Sequence, residues 1–182
     1  MALRRFAVPL VLLLPLAGCG AGGPSASTPS PTPSASPVYD GTYRGPGFTA
    51  AFPQAPQVTH HTETLSGKAL TTDTYAAELP WGHFVVSHVK PFPLEPGIER
   101  EQLTAGVKSH LAASKVAFRL TDSALTINGA PAIAFVGSAP GVAIVGRAVA
   151  RGTDFYLVLY QGKNGDDLTA NYSFPGTFML TA

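Results

Sequence analysis

The chain is poor in cysteine and in charged residues. Its 182 residues include one cysteine, and 13% of them are charged, against roughly 25% in an average soluble domain. A single cysteine excludes a disulfide scaffold and a cysteine-rich zinc module, and the shortage of charge argues against a charge-rich disordered chain. The formal net charge of +1 provides no surplus of basic residues that would indicate nucleic-acid binding.

Residues 1–18 have the features of a secretory signal peptide. Arg4 and Arg5 supply a positive start, and an apolar stretch runs from Phe6 to Leu16. That stretch is too short to cross a hydrocarbon core, which needs about 20 residues. Residues 16–19 read Leu-Ala-Gly-Cys and resemble the lipobox of bacterial lipoproteins in residue order and position. The alternatives are an ordinary signal peptide with a chance cysteine and a short core segment of a cytosolic protein.

The lipobox resemblance implies a mature chain that begins at Cys19, with a diacylglyceryl group on its sulfur and usually a further acyl chain, such as palmitate, on its amine. Two or more acyl chains hold a protein stably on a membrane. Residues 19–37 continue in small residues and proline without charge, which predicts a disordered tether. Similar linkers are common in lipoproteins of high-GC Gram-positive bacteria. We therefore expect Cys19 to anchor the chain on the extracytoplasmic face of the cell membrane.

Residues 38–182 are expected to form one α+β domain, since about 145 residues suffice for a sizeable core. Leu103, Val107 and Leu111 are spaced four apart and predict a helix over residues 98–115. Runs of apolar and β-branched residues predict the strands, which cover residues 48–52, 58–65, 69–79, 83–89, 118–127, 131–136, 142–150 and 155–161. A second short helix is predicted at residues 166–172.

The late strands are apolar on both faces, so the sheet must be covered on both faces. We expect a mainly antiparallel sheet flanked by helices, with the early hairpin as further cover. Residues 48–56 read Phe-Thr-Ala-Ala-Phe-Pro-Gln-Ala-Pro and resemble the opening pattern F-x-V-x-F-P-G-x-P of many small secreted or lipid-anchored bacterial proteins. With the order of elements that follows, the chain resembles the PsbP-like fold of the LpqN-type lipoproteins. That resemblance implies an α/β/α sandwich and carries over no catalytic residues.

The sequence offers little for catalysis. It has no G-x-S-x-G motif, and lipidation of Cys19 excludes cysteine catalysis. We expect a chain that is not an enzyme and has no cofactor. A metal site assembled across strands from His61, His83 and His88 is the alternative, although no H-x-x-x-H or H-E-x-x-H spacing supports it. His83 and His88 are five residues apart, which on one strand places them on opposite faces.

Trp81 and the proline-rich segment that contains Phe92 and Leu94 are the strongest candidates for a binding surface. Exposed aromatic residues at such places form binding hot spots, and the alternative is that these residues fold back as caps over the core. The sequence therefore favours a non-catalytic binding or adaptor domain whose partner is an envelope protein or a cell-wall ligand. Alternatives are a carrier of a lipophilic ligand, with a cavity between sheet and helix, and a histidine-dependent metal-binding or enzymatic module.

Overall fold

The computed structural model describes residues 41–65, 68–92, 94–162 and 173–182. The predicted signal peptide, Cys19, the linker and the helix expected at residues 166–172 lie outside the described residues. Among the described residues, neither helix is both long and apolar enough to cross a membrane.

Strands dominate the described part of the chain. The helices are α1 (Glu99–Ala113) and α2 (Ser173–Thr177). The strands are β1 (Thr42–Gly45), β2 (Phe48–Ala51), β3 (Gln57–Leu65), β4 (Lys68–Leu79), β5 (Gly82–Lys90), β6 (Ala117–Asp122), β7 (Thr126–Ile127), β8 (Ala130–Ala139), β9 (Val142–Arg151), β10 (Asp154–Gly162) and β11 (Met179–Leu180).

These strands form two antiparallel sheets. The large sheet has the order β3-β4-β5-β10-β9-β8-β6, with β7 paired to β8, and the small sheet has the order β1-β2-β11. The expectation of a mainly antiparallel sheet is therefore confirmed. The early hairpin, β3 and β4, extends the large sheet through β5 and does not fold over it. The strand expected at residues 118–127 is interrupted, because the register of β6 shifts after Leu120 and the Asp122 carboxylate accepts a hydrogen bond from the backbone of Ala124.

Helix α1 covers one face of the large sheet, which we call the helix face. The predicted stripe of Leu103, Val107 and Leu111 is buried in one cluster with Ile133 and Phe135 of β8. The helix packs against β6, β8 and β9. Its spacing of four residues places the three side chains on one side of the helix, so the sequence pattern and the packing agree.

The small sheet and α2 cover the opposite face, which we call the small-sheet face. The sequence did not predict this β-structured cover. Within the described residues the only helix on this face is the five-residue α2, and the helix expected at residues 166–172 lies outside them. Phe48 of β2 packs against Tyr156 of β10 and stacks on Phe178, with ring centroids 6.0 and 5.5 Å apart. The short strands β1, β2 and β11 can form this layer because alternate side chains of β2, Phe48 and Ala50, are buried.

Candidate functional site

A row of polar side chains crosses four neighbouring strands on the small-sheet face. Its members, which we call the polar row, are His60 on β3, Asp73 on β4, His88 on β5 and Tyr156 on β10, and each is the register partner of the next. Asp154 precedes Tyr156 by two residues on β10 and points to the same face. The row therefore brings two imidazoles and two carboxylates together across four adjacent strands.

Strand alternation places the polar row on this face. Side chains two residues apart on a strand share a face, and the neighbours of the row in that direction are apolar: Val58, Tyr75, Val86 and Val158. Tyr75, Val86 and Val158 belong to the core under the small sheet. The row therefore forms a polar border along a face that is otherwise apolar.

His88 is the most enclosed member of the row. It is 3% exposed, its Nε2 lies 3.1 Å from Oδ1 of Asp154, and its ring stacks on Tyr156 with centroids 4.4 Å apart and planes 7° apart. Its other nitrogen, Nδ1, is buried and has no hydrogen-bond partner within the described residues. Since buried polar atoms are usually hydrogen-bonded, Nδ1 is the clearest unsatisfied group in the row.

His60 and Asp73 form the outer pair of the row. The His60 Nδ1 lies 2.7 Å from Oδ1 of Asp73, whose side chain is 9% exposed, whereas the side chain of His60 is 71% exposed. The Lys90 Nζ lies 3.9 Å from the other oxygen of Asp73. A nearly buried carboxylate thus contacts an imidazole and lies near an ammonium group, and both of these groups reach solvent.

Two tyrosines close to the carboxylates have raised pKa values. Burial, assisted by the negative charge of Asp73, raises the pKa of Tyr75 to about 12. Burial and the charge of Asp154 likewise raise the pKa of Tyr156 to about 12. Both phenols are therefore protonated at neutral pH, and the hydroxyl of Tyr156 donates a long hydrogen bond, 3.5 Å, to the carbonyl of Pro46.

The arrangement orients both imidazoles, since a carboxylate that accepts from one ring nitrogen fixes the orientation of the ring. Covalent catalysis would also require a nucleophile within hydrogen-bond reach of an imidazole. In the part of the chain that the structure describes, both imidazoles bond to carboxylates, and no hydroxyl or thiol hydrogen bond to either is seen. The geometry therefore gives no support to acyl transfer at the polar row.

The structure separates the residues of the predicted binding surface. Trp81 is 43% exposed, and its ring meets Phe84 edge-on on the small-sheet face, with centroids 5.2 Å apart. Phe92 stacks on Phe155 at 4.8 Å, and both Phe92 and Leu94 pack against the core under the helix face. Trp81 precedes β5 whereas Phe92 and Leu94 follow it, so the three residues lie at opposite ends of the strand and on opposite faces. They do not form one surface.

The histidines of the hypothesised metal site are also separated. His61 of β3 and His83 of β5 point to the helix face with β4 between their strands, whereas His88 points to the small-sheet face. His83 lies instead 3.6 Å from Glu78. Within the described residues no group of three or more histidine, cysteine, aspartate or glutamate side chains could hold a metal ion.

A carrier of a lipophilic ligand would need a cavity between the large sheet and α1, and the side chains beside two glycines of the late strands fill the space there. On the helix face, the space beside Gly146 is filled by Phe135, whose Cζ lies 2.4 Å from where a β-carbon would stand. Val116 and Leu111 fill the space beside Gly137 in the same way. An open depression of about 460 Å³ lies elsewhere, at one end of the large sheet, between the turns at residues 128–131 and 150–152 and the segment 180–182.

Comparison with models of known protein families gives no match. Comparison with curated protein sequences also finds no significant similarity.

Proposed function

We propose that this chain is a lipid-anchored binding or adaptor domain on the extracytoplasmic face of a bacterial cell membrane, and that it is not an enzyme. The resemblance of residues 16–19 to a lipobox supports the anchor at Cys19, and the linker predicted at residues 19–37 supports a domain held away from the lipid surface. The partner is an envelope protein or a cell-wall ligand. In this proposal the domain has a PsbP-like fold, which the pattern of residues 48–56 supports.

Trp81 is the observation that carries the binding role. Tryptophan dominates binding hot spots, and this one, the sole tryptophan of the chain, is 43% exposed at the turn between β4 and β5. Phe84 supports its ring, and the hydroxyl of Tyr160 donates to its backbone carbonyl at 3.5 Å. An aromatic side chain that is already positioned loses little conformational freedom when a partner covers it.

Trp81→Ala tests this surface in intact cells that express the full chain. Chemical cross-linking, detergent solubilisation and mass spectrometry identify the bound partner in the wild type. Because hot-spot truncation costs about 2 kcal/mol or more, we expect roughly thirtyfold weaker affinity with Trp81→Ala, and therefore less of that complex. Met179→Ala is the matched control, since Met179 is 47% exposed on β11. Equal loss in both variants, or no loss in either, would show that Trp81 is not the contact.

Cys19→Ser tests the anchor separately. We expect the wild-type chain to incorporate labelled palmitate and to remain with the membrane fraction after a high-salt wash. The Cys19→Ser chain should incorporate no label and be released, because hydrophobic insertion of the acyl chains supplies the attachment. Ser25→Ala in the linker is the control and should behave as the wild type. A wild-type chain that incorporates no labelled palmitate would contradict the lipid anchor, whatever the result for Trp81.

A further inference from the structure

Strand β3 is a long, regular edge of the large sheet. All nine of its residues pair in unbroken register with β4 on its inner side, and within the described residues no strand pairs with its outer side. Residues 57–62 are exposed. An edge strand presents a row of unpaired backbone N–H and C=O groups, which here extends over about 30 Å. Such an edge is a template for one more strand.

The other sheet edges are short or protected, which makes β3 distinctive. β6 has six residues, an irregular register after Leu120 and a cover from α1, and it carries Arg119 and Asp122. At the edges of the small sheet, β1 has four residues and β11 has two. Shortness, bulges and charges are the usual devices against edge pairing. β3 lacks proline, lysine and arginine, and Glu63 is its only acidic residue.

We propose that two copies of this chain pair through β3, antiparallel and about a two-fold axis at His61, so that one continuous sheet runs through both molecules. A two-fold axis perpendicular to the sheet keeps equivalent faces together, and overlap of all nine residues requires that the axis pass through the middle residue, His61. Residues whose numbers sum to 122 then lie opposite each other. This is an isologous interface, in which one surface is complementary to itself.

The composition of β3 suits pairing with itself. In this register Glu63 faces Thr59 of the second copy, and His60 faces Thr62 of the second copy, so no two acidic side chains are opposed. Val58, which is 39% exposed, faces Thr64 of the second copy. Directly opposed like charges destabilise an antiparallel pair, whereas β-branched pairs stabilise it. The strand therefore meets its own copy without an electrostatic conflict, and a second copy supplies an edge of the same length and regularity, so that all nine residues can pair.

Cysteine substitution at the axis tests the register. Each experiment uses the full chain with Cys19→Ser, so that the introduced cysteine is the only thiol and membrane anchoring is not required. His61→Cys places two thiols opposite each other, within the range that a disulfide spans. Thr59→Cys and Glu63→Cys are matched controls, because each is displaced from its own copy by four residues, about 13 Å. We expect oxidation to give a disulfide-linked dimer with His61→Cys and little with the controls.

A dimer linked efficiently through residue 59 or 63 but not through 61 would overturn the register. The absence of a linked dimer in all three variants would overturn the pairing itself.

Opposite charges at residue 59 test the same interface without a covalent bond. The two-fold axis creates two equivalent pairs of residue 59 with Glu63 of the other copy. Thr59→Glu makes both pairs repulsive, whereas Thr59→Lys makes both attractive. From the strength of cross-strand pairs, sedimentation equilibrium should show dimerisation about twofold to thirtyfold weaker with Thr59→Glu, and stronger by a similar factor with Thr59→Lys. Monomers at all concentrations, or the same shift in both variants, would overturn the proposal. Circular dichroism verifies that both variants are folded.

Discussion

Gly146 on β9 shows how a missing side chain determines packing on the helix face. A β-carbon there would lie 2.4 Å from Phe135 and 2.8 Å from Leu159, closer than carbon atoms approach without displacement. Interiors are packed to the density of organic crystals, so neighbouring side chains must move to accept even one methyl group. The glycine is therefore part of the fit between β8, β9 and β10.

We expect Gly146→Ala to lower the free energy of unfolding by about 1–3 kcal/mol, because overpacking forces side chains from their preferred rotamers. Gly106→Ala is the matched control. Gly106 lies on the exposed side of α1 with no atom within 4 Å of a β-carbon position, and alanine is a better helix former by about 0.5–1 kcal/mol. Urea unfolding should therefore show shifts of opposite sign. A stable Gly146→Ala protein would mean that the space beside Phe135 is adaptable.

Tyr156 of the polar row and the neighbouring Tyr75 make the free energy of unfolding depend on pH in the alkaline range. The folded-state pKa of Tyr156 is about 12, above the usual value near 10, so the fold favours the protonated phenol. Its contribution to stability is complete below pH 10 and is lost as the pH rises through 12. We expect the free energy of unfolding of Tyr156→Phe to fall less steeply with pH in this window. Tyr75→Phe should add to the effect for the same reason. Denaturant unfolding at several pH values measures this dependence. The same slope of unfolding free energy against pH in the variants and the wild type would contradict the raised pKa values.

At the scale of single elements, α1 is stabilised through one stripe of side chains. Its first residue is preceded by Ile98, whose side chain makes no capping hydrogen bond, so packing has to provide much of what a cap would otherwise add. Leu103 is 1% exposed in the cluster with Ile133 and Phe135. Leu103→Ala should lower the free energy of unfolding by about 2–5 kcal/mol, whereas the exposed Lys108→Ala should change it by less than about 0.5 kcal/mol. Thermal unfolding followed by circular dichroism measures both, and similar shifts would contradict the packing.

Local patterns predict elements better than they predict neighbours. The helix stripe and the strands that contain Phe84 and Phe155 could be predicted because their signals, a spacing of four residues or a run of apolar residues, lie in contiguous sequence. Strand β1, which contains Tyr43, could not, since four residues with one apolar anchor form a strand only when β2 is beside them. The small sheet could not be predicted for the same reason, because it joins β2 to β11, at the far end of the chain.

The polar row and the separation of Trp81 from Phe92 depend on the register between strands, which can be predicted from the sequence only in part. Strand alternation places His60 and His61 on opposite faces, and that could be deduced. It does not say that His60 faces Asp73, or that His88 faces Tyr156, because those pairings follow from how three antiparallel connections align. The signal that was present is a polar residue two positions from apolar ones on each of β3, β4 and β5.

At the scale of the whole molecule, the large sheet lies between two hydrophobic cores and contributes side chains to both. β5, β9 and β10 contribute alternate side chains to the clusters on both faces, so a strand cannot leave one core without disturbing the other. For a protein of this size the free energy of unfolding is about 5–15 kcal/mol, which is small compared with the burial on either face. The two cores should therefore unfold together.

Two substitutions on opposite faces test that coupling. Phe48 is fully buried under the small sheet and Phe135 is 1% exposed under α1, so Phe48→Ala and Phe135→Ala should each lower the free energy of unfolding by about 3–5 kcal/mol. Trp81 fluorescence reports the small-sheet face, because its ring rests on Phe84, and helical circular dichroism reports α1 on the other. If one sheet supports both cores, the two signals will change at the same denaturant concentration in the wild type and in each variant. A variant in which the signal of the substituted face is lost first, while the other persists, would show instead that the layers unfold independently.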